Sequence, residues 1–156
     1  MKRLEKKVIG WREWVELPEL KIKKVKAKID TGARTSSLHA FDLELFKRSG
    51  KHYVSFKVHP EQRSTKGTVK CKAKVLEFRK VKSSNGQSEL RPVILTPVKL
   101  LGEEWPIEVT LTNRDEMGFR MLLGRESFRK KFYVDAGNSY FGKKKKKRVV
   151  KRRIKN

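Results

Sequence analysis

The chain of 156 residues carries 41 Lys and Arg against 17 Asp and Glu, a formal net charge of +24. That length suits one compact domain, and 8 Phe, 3 Trp and 3 Tyr supply the apolar volume of one modest core, which excludes full disorder. No window approaches the ~20 apolar residues of a membrane-spanning helix, the basic start Met1-Lys2-Arg3 lacks a secretory apolar stretch, and the lone Cys71 excludes an internal disulfide and suits a reducing, cytoplasmic setting.

Alternation at period two recurs along the chain and predicts strands. Val25, Ala27 and Ile29 face one way while Lys24, Lys26 and Lys28 face the other, and Phe41, Leu43 and Leu45 extend the pattern. Between these lies Ile29-Asp30-Thr31-Gly32-Ala33, an apolar strand running into a carboxylate, a hydroxyl residue and a glycine. By itself this tripeptide also suits an Asp that caps its own turn. After the turn signal Ser49-Gly50 come Val54, Phe56 and Val58 on one face, then Val69, Cys71, Ala73 and Val75 alternating with lysines. Asn85-Gly86 marks a hairpin. Val93-Ile94-Leu95 and Ile107–Leu111 predict further strands around a turn near Gly102, and Pro92, Pro97 and Pro106 predict edges or bulges there. Met121-Leu122-Leu123 is a buried strand leaving through Gly124, and Arg125 to Lys131 is the one short helix expected.

About eight short antiparallel strands in a body this small predict an all-β fold, a small closed or nearly closed barrel with a short helix near its C-terminal end. We expect the barrel domain to occupy residues 1–142. The remainder, 143–156, holds ten basic residues and no acidic ones, which predicts a disordered low-complexity tail; the body keeps 31 basic residues (41 less those ten), a net of +14. Such a tail attracts polyanions without sequence selectivity, so Lys143–Lys155 is expected to contact the ribosome, nucleic acid or an acidic polypeptide. No internal repeat is visible.

Ile29-Asp30-Thr31-Gly32-Ala33, taken with Leu122-Leu123-Gly124-Arg125, resembles the two halves of a retropepsin, a single-domain aspartic protease. Closer still, Lys28–Ala40, Leu111–Arg125 and the opening Val8–Glu13 resemble the bacterial retropepsin-like family commonly labelled "ATP-dependent zinc protease", the RimK-associated type. Ser37 stands where that family often has alanine. The resemblance implies an acid-protease barrel, a catalytic Asp30, an active-site loop of Thr31, Gly32 and Ala33, and support from Gly124 and Arg125. The ATP of the label belongs to neighbouring or fused ATP-grasp ligases that add glutamates to a ribosomal protein, additions that family members have been proposed to trim. An acidic, glutamate-extended peptide or protein is therefore the expected substrate.

No cofactor and no metal is expected. The chain has no His-Glu-x-x-His, its histidines are only His39, His52 and His59, and it has no phosphate-binding glycine loop. Aspartic-protease chemistry needs two carboxylates sharing one proton. Only one Asp-Thr-Gly is present, and its echo Val134-Asp135-Ala136-Gly137 lacks the hydroxyl residue and reads as a strand-end turn. A homodimer with two copies of Asp30 across a two-fold axis is therefore expected. Arg125 is expected to pair with an acidic group near that interface, and the segment Pro60 to Gly67, with Arg63, Ser64, Thr65, Lys66 and Gly67, is a flap candidate. The alternative is a non-catalytic basic barrel that binds the ribosome or another polyanion, with Asp30 structural and the chain monomeric.

Overall fold

The computed structural model describes residues 6–61, 67–82, 86–113 and 118–142. In chain order they form β1 (Lys7–Gly10), β2 (Arg12–Leu17), a single 3-10 turn (Pro18–Leu20), β3 (Ile22–Asp30), β4 (Ser36–His39), β5 (Phe41–Arg48), β6 (Lys51–Val58), β7 (Val69–Lys82), β8 (Ser88–Leu100) and β9 (Glu103–Thr112). After these come β10 (Met121–Gly124), the short helix α1 (Arg125–Phe128) and β11 (Phe132–Asp135). The barrel tail 143–156, the flap residues 63–66 and Asn85 lie outside the described residues.

Six strands close a barrel in the order β2-β3-β10-β4-β9-β8, sealed where Glu16 of β2 pairs with Lys99 of β8. From β8 the sheet continues outward through β7, β6 and β5. The expected apolar stripes supply the core: Val25, Ala27, Ile29, Val54, Phe56, Val58, Cys71 and Val75 are all buried. Burial pushes the Cys71 thiol up to about 12, so it is protonated at neutral pH. Among the described residues no helix is long and apolar enough to cross a membrane.

The strand count and the strand directions differ from expectation. Eleven strands are present among the described residues, and three pairs are parallel: β3 with β10, β4 with β9, and β1 with β11. A local pattern carries no information on direction when the partner lies ninety residues away. β10 inserts between β3 and β4, parallel to one and antiparallel to the other, so the loop from Thr31 to Thr35 wraps around its end. Met121 and Leu123 are buried and Leu122, on the other face, is half-buried, which explains the unbroken apolar run. The edge strand β5 buries little, and Leu45 is 55% exposed. The helix spans Arg125–Phe128 rather than reaching Lys131, because Phe128 plugs into the core and the chain then turns through a Lys131 N–H to Phe128 carbonyl bond.

Two of the turn signals, at Gly50 and Gly102, behave as expected. Arg48 pairs with Lys51 across Ser49-Gly50, and Leu100 with Glu103 across Leu101-Gly102, with φ positive at both loop residues each time, as tight hairpins require. The prolines occupy interior strands, contrary to the edge expectation, yet they cost little. Pro97 faces Pro106 across β8 and β9, and Pro97 falls between Ile94, the last residue of β8 paired to β7, and Lys99, the first paired to β2. Its missing N–H therefore interrupts no ladder. Pro92 flanks the bulge between Val75 and Glu77 of β7.

One buried charge ties the chain's two ends together. Glu13 is fully buried on the inward face of β2, beside Val15 and Leu17. Its Oε2 accepts the N–H groups of Gly10 at 2.7 Å and Phe141 at 2.9 Å, and its Oε1 accepts that of Gly142 at 2.9 Å. A buried carboxylate is tolerated when backbone donors fill its lone pairs. Glu13→Gln replaces one acceptor oxygen by a donor facing the same N–H groups. It should cost about 3 kcal/mol, read from urea melts.

Candidate active site

Asp30 ends β3, level with Gly124 of β10 in the parallel register. Its Oδ1 accepts the Gly32 N–H at 3.0 Å, and its carbonyl accepts the Ala33 N–H at 3.2 Å, so the Asp does cap its own turn. Among the described residues no donor reaches the second carboxylate oxygen. Thr31 and Gly32 are exposed, while Asp30 and Ala33 are half-buried.

The loop is clamped from β10 and α1. The Arg125 N–H reaches the Ala33 carbonyl at 2.8 Å, the Glu126 N–H the Arg34 carbonyl at 3.1 Å, and the Arg125 guanidinium the Thr31 carbonyl at 3.3 Å. Within the chain Arg125 thus holds the loop backbone rather than an acidic group. Gly124 must be glycine because a Cβ there would lie 2.4 Å from both the carbonyl carbon and oxygen of Thr35.

Two serines that sequence reasoning missed complete the clamp. The Gly124 N–H donates to Ser36 Oγ at 3.0 Å, and Ser127 Oγ donates to the Gly124 carbonyl at 2.9 Å. Ser36 Oγ and Ser127 Oγ touch each other, so Ser36 must be the donor in that pair. The ring begins and ends on Gly124 and uses every hydroxyl proton. The Trp105 indole N–H adds a 2.8 Å bond to the Ser127 carbonyl. The available signal was a serine three residues after a strand-ending glycine, the spacing at which a side chain returns to its helix start.

The same architecture occurs a second time. Asp135 ends β11, level with Gly10 of the parallel strand β1. Its Oδ1 accepts the Gly137 N–H at 2.9 Å and its carbonyl the Asn138 N–H at 3.3 Å. The residue after the aligned glycine, Trp11, donates to the Asn138 carbonyl at 2.9 Å, as Arg125 does to Ala33. A Cβ on Gly10 would sit 2.3 Å from the Asn138 carbonyl oxygen. The chain therefore contains a structural repeat that its sequence conceals.

The two turns differ at two positions, and at the first of them Ala136 replaces Thr31 and brings no hydroxyl. Where the Asp30 turn has Ala33, the Asp135 turn has Asn138, whose Nδ2 donates to Asp135 Oδ2 at 2.8 Å. Both Asp135 oxygens are occupied, and the Asn138 and Gly137 bonds hold its carboxyl below the ordinary 3.8. A depressed folded-state value stabilises above the unfolded value and is lost as pH falls through the folded one. Asp135→Asn should therefore flatten the acid limb of a stability-versus-pH curve below about pH 4, measured by thermal melts. The effect is modest, because the carboxyl is only half-buried and water screens it.

The remaining predicted groups are scattered. His39 is buried at the end of β4, His52 lies edge-on to Phe78, and His59 stacks near Phe41 and bonds Thr68. Among the described residues no three or more His, Cys, Asp or Glu gather, so these side chains do not fit a zinc site. Gly67, the flap residue within the described set, is exposed. An open groove of about 600 Å³ runs beside the loop past Arg34, Thr35, Ser36, Trp105 and Glu126, but Asp30 stands outside it.

Comparison with known proteins agrees with this geometry. Residues 8–145 match the RimB-like family, described as "Retropepsin-like aspartic endopeptidase RimB". Among curated proteins, 133 residues are 50% identical to a "Probable alpha-L-glutamate ligase" of Shewanella pealeana, covering 85% of this chain and 29% of that protein. A protein of the same name from Desulfotalea psychrophila is 48% identical over 132 residues, 85% of this chain and 28% of that protein. The chain thus spans less than a third of these relatives. A crystal structure of a Legionella pneumophila protein of unknown function (DUF785) superposes with a TM-score of 0.75 at 28% identity, covering 89% of this chain and all of that one. The barrel, the Asp-Thr-Gly turn clamped by Gly124-Arg125, and the match over residues 8–145 lead to one assignment: the chain belongs to the RimB-like family of retropepsin-like aspartic endopeptidases.

Proposed function

We propose that the protein is an aspartic peptidase that works as a homodimer on an acidic, glutamate-extended peptide or protein. The observation that carries this is the Asp30 carboxylate, with one oxygen fixed by its own turn and the other open at the end of a core strand. The two-fold pairing of such a chain brings two Asp30 carboxylates within ~3 Å, where both cannot ionise together and one proton is shared. The ionised member takes a proton from water, whose oxygen attacks the scissile carbonyl carbon. The protonated member gives its proton to the departing nitrogen as the C–N bond breaks. Thr31, exposed and with no hydroxyl bond among the described residues, bonds the twin loop in this reading.

Among the described residues the matching Asp135 turn leaves no carboxylate oxygen open, and the groove beside the loop leaves Asp30 aside. The net charge of +24 draws a polyanionic substrate. The similarity to proteins named as glutamate ligases supports glutamate as its acidic component. The basic tail Lys143–Lys155 adds a tether to the same partner or to nucleic acid.

The test is the concentration dependence of cleavage of a glutamate-extended peptide, with sedimentation equilibrium run alongside. Activity per chain should rise as the dimer forms. Constant activity per chain across a range that contains only monomer would defeat the dimer.

A further inference from the structure

The outer surface of β2 and β3 carries a pattern that the peptidase reading does not use. Arg12 and Trp14 point outward from β2, and Lys24, Lys26 and Lys28 from β3, because the intervening positions are the buried core residues. The register sets Arg12 opposite Lys28 and Trp14 opposite Lys26. Trp14 stacks on Tyr140, with ring centroids 5.8 Å apart and planes 21° apart. Lys24 and Lys26 place their Nζ atoms 4.6 and 5.2 Å from the Trp14 ring, and the Arg12 guanidinium lies 5.0 Å from the Tyr140 ring.

These cations are uncompensated. Among the described residues, Lys24, Lys26 and Lys28 have no carboxylate partner, and the nearby Glu16 is turned to Lys99 at 3.8 Å. Same-face lysines on one strand repeat every ~6.7 Å, of the order of the step between successive phosphates of an extended strand. In sequence, this face is followed by the basic end of the chain. Tyr140 is bonded to Arg12 through its backbone N–H, and Gly142, fixed to Glu13, is followed by ten basic residues in fourteen.

We propose that this face is a binding site for single-stranded RNA. Bases stack on the Trp14 and Tyr140 rings as the lysines swing from ring to phosphate, and Arg12, Lys24, Lys26 and Lys28 neutralise the backbone. An acidic polypeptide would satisfy the lysines but leave the stacked rings without a partner. The Tyr140 hydroxyl has no bond within the described residues and is available to a ribose 2′-hydroxyl, a group DNA lacks. Lys28 lies two residues before Asp30 on the same face of β3, whereas Trp14, Lys24 and Lys26 lie farther along the β2–β3 pair, and the proposal stands whether or not the Asp30 loop is catalytic.

The test uses the full chain and a fluorescein-labelled twelve-residue oligouridine at fixed salt. Lys24→Glu with Lys26→Glu should weaken binding at least tenfold, with the melt, and cleavage at saturating peptide, unchanged. Trp14→Phe should remove a large part of the tryptophan quenching that RNA produces. Binding by the charge-reversed variant within twofold of the parent would overturn the proposal. So would a polyglutamate of equal length that loses as much affinity as the oligouridine in the charge-reversed variant, or an oligothymidine that binds as tightly as the oligouridine.

Discussion

Asp30→Asn should lower single-turnover cleavage of a glutamate-extended peptide by about a thousandfold while leaving the fold intact. Asparagine keeps the shape of the side chain, and its amide oxygen still accepts the Gly32 N–H that holds Asp30 Oδ1 at 3.0 Å. What it loses is the exchangeable carboxyl proton. In a homodimer both members of the pair change together, so neither a base for water nor an acid for the departing nitrogen remains. A companion variant probes the open oxygen without touching the carboxyl. Ala33→Asn copies the arrangement in which Asn138 caps Asp135 Oδ2 at 2.8 Å, and it should suppress turnover by occupying the lone pairs that water needs. Cleavage undiminished in Asp30→Asn would leave Asp30 as a turn-capping residue and the protein without a catalytic carboxylate there.

Gly124→Ala should lower the melting temperature by about 10 °C, corresponding to about 3 kcal/mol. The added Cβ would meet the Thr35 carbonyl carbon and oxygen at 2.4 Å. These are backbone atoms and cannot rotate away, so the loop must shift and the serine ring through Ser36 and Ser127 must open. Because that ring clamps the far side of the Asp-Thr-Gly turn, activity should fall with stability. Gly32→Ala is the control, since its Cβ meets only Asp30 Oδ1, at 3.4 Å. A Gly124→Ala protein that melts with the parent would show that the β10–loop contact yields to a methyl group without cost.

What the sequence revealed was what neighbours in the chain decide. Val25, Ala27 and Ile29 read as an inward stripe and are one. Ser49-Gly50 and Leu101-Gly102 read as turns and are tight hairpins. Asp30, Gly124 and Arg125 were legible because each ends or begins an element, and a recognised motif joined them; the structure brings all three together. What stayed hidden depends on distant partners. Nothing near Met121 tells that it will run parallel to β3, and nothing near Glu13 tells an inward carboxylate from one more charge on a polar face. The Asp135 turn repeats the bonds from backbone N–H groups seen in the Asp30 turn, but only two of its residues, the Asp and the Gly two later, are the same. Geometry repeats there because backbone N–H groups do the bonding, and those are common to every sequence. Ser36 and Ser127 escaped for a similar reason, since a hydroxyl ring closes only when two segments ninety residues apart meet.

The carboxylate of Glu13 also bears on how such a chain is made. Growing from its N-terminal end, a nascent polypeptide has β2 long before it has Phe141 and Gly142, the donors that let Glu13 go inward. Until then the charge favours water and keeps the first hairpin from sealing, while β1 waits for a neighbour, β11, more than a hundred residues downstream. Closure of the barrel is thereby delayed until nearly the whole domain has been synthesised, and a product cut short before residue 141 would be left with an anion it cannot hide, an open form that proteolytic surveillance can recognise.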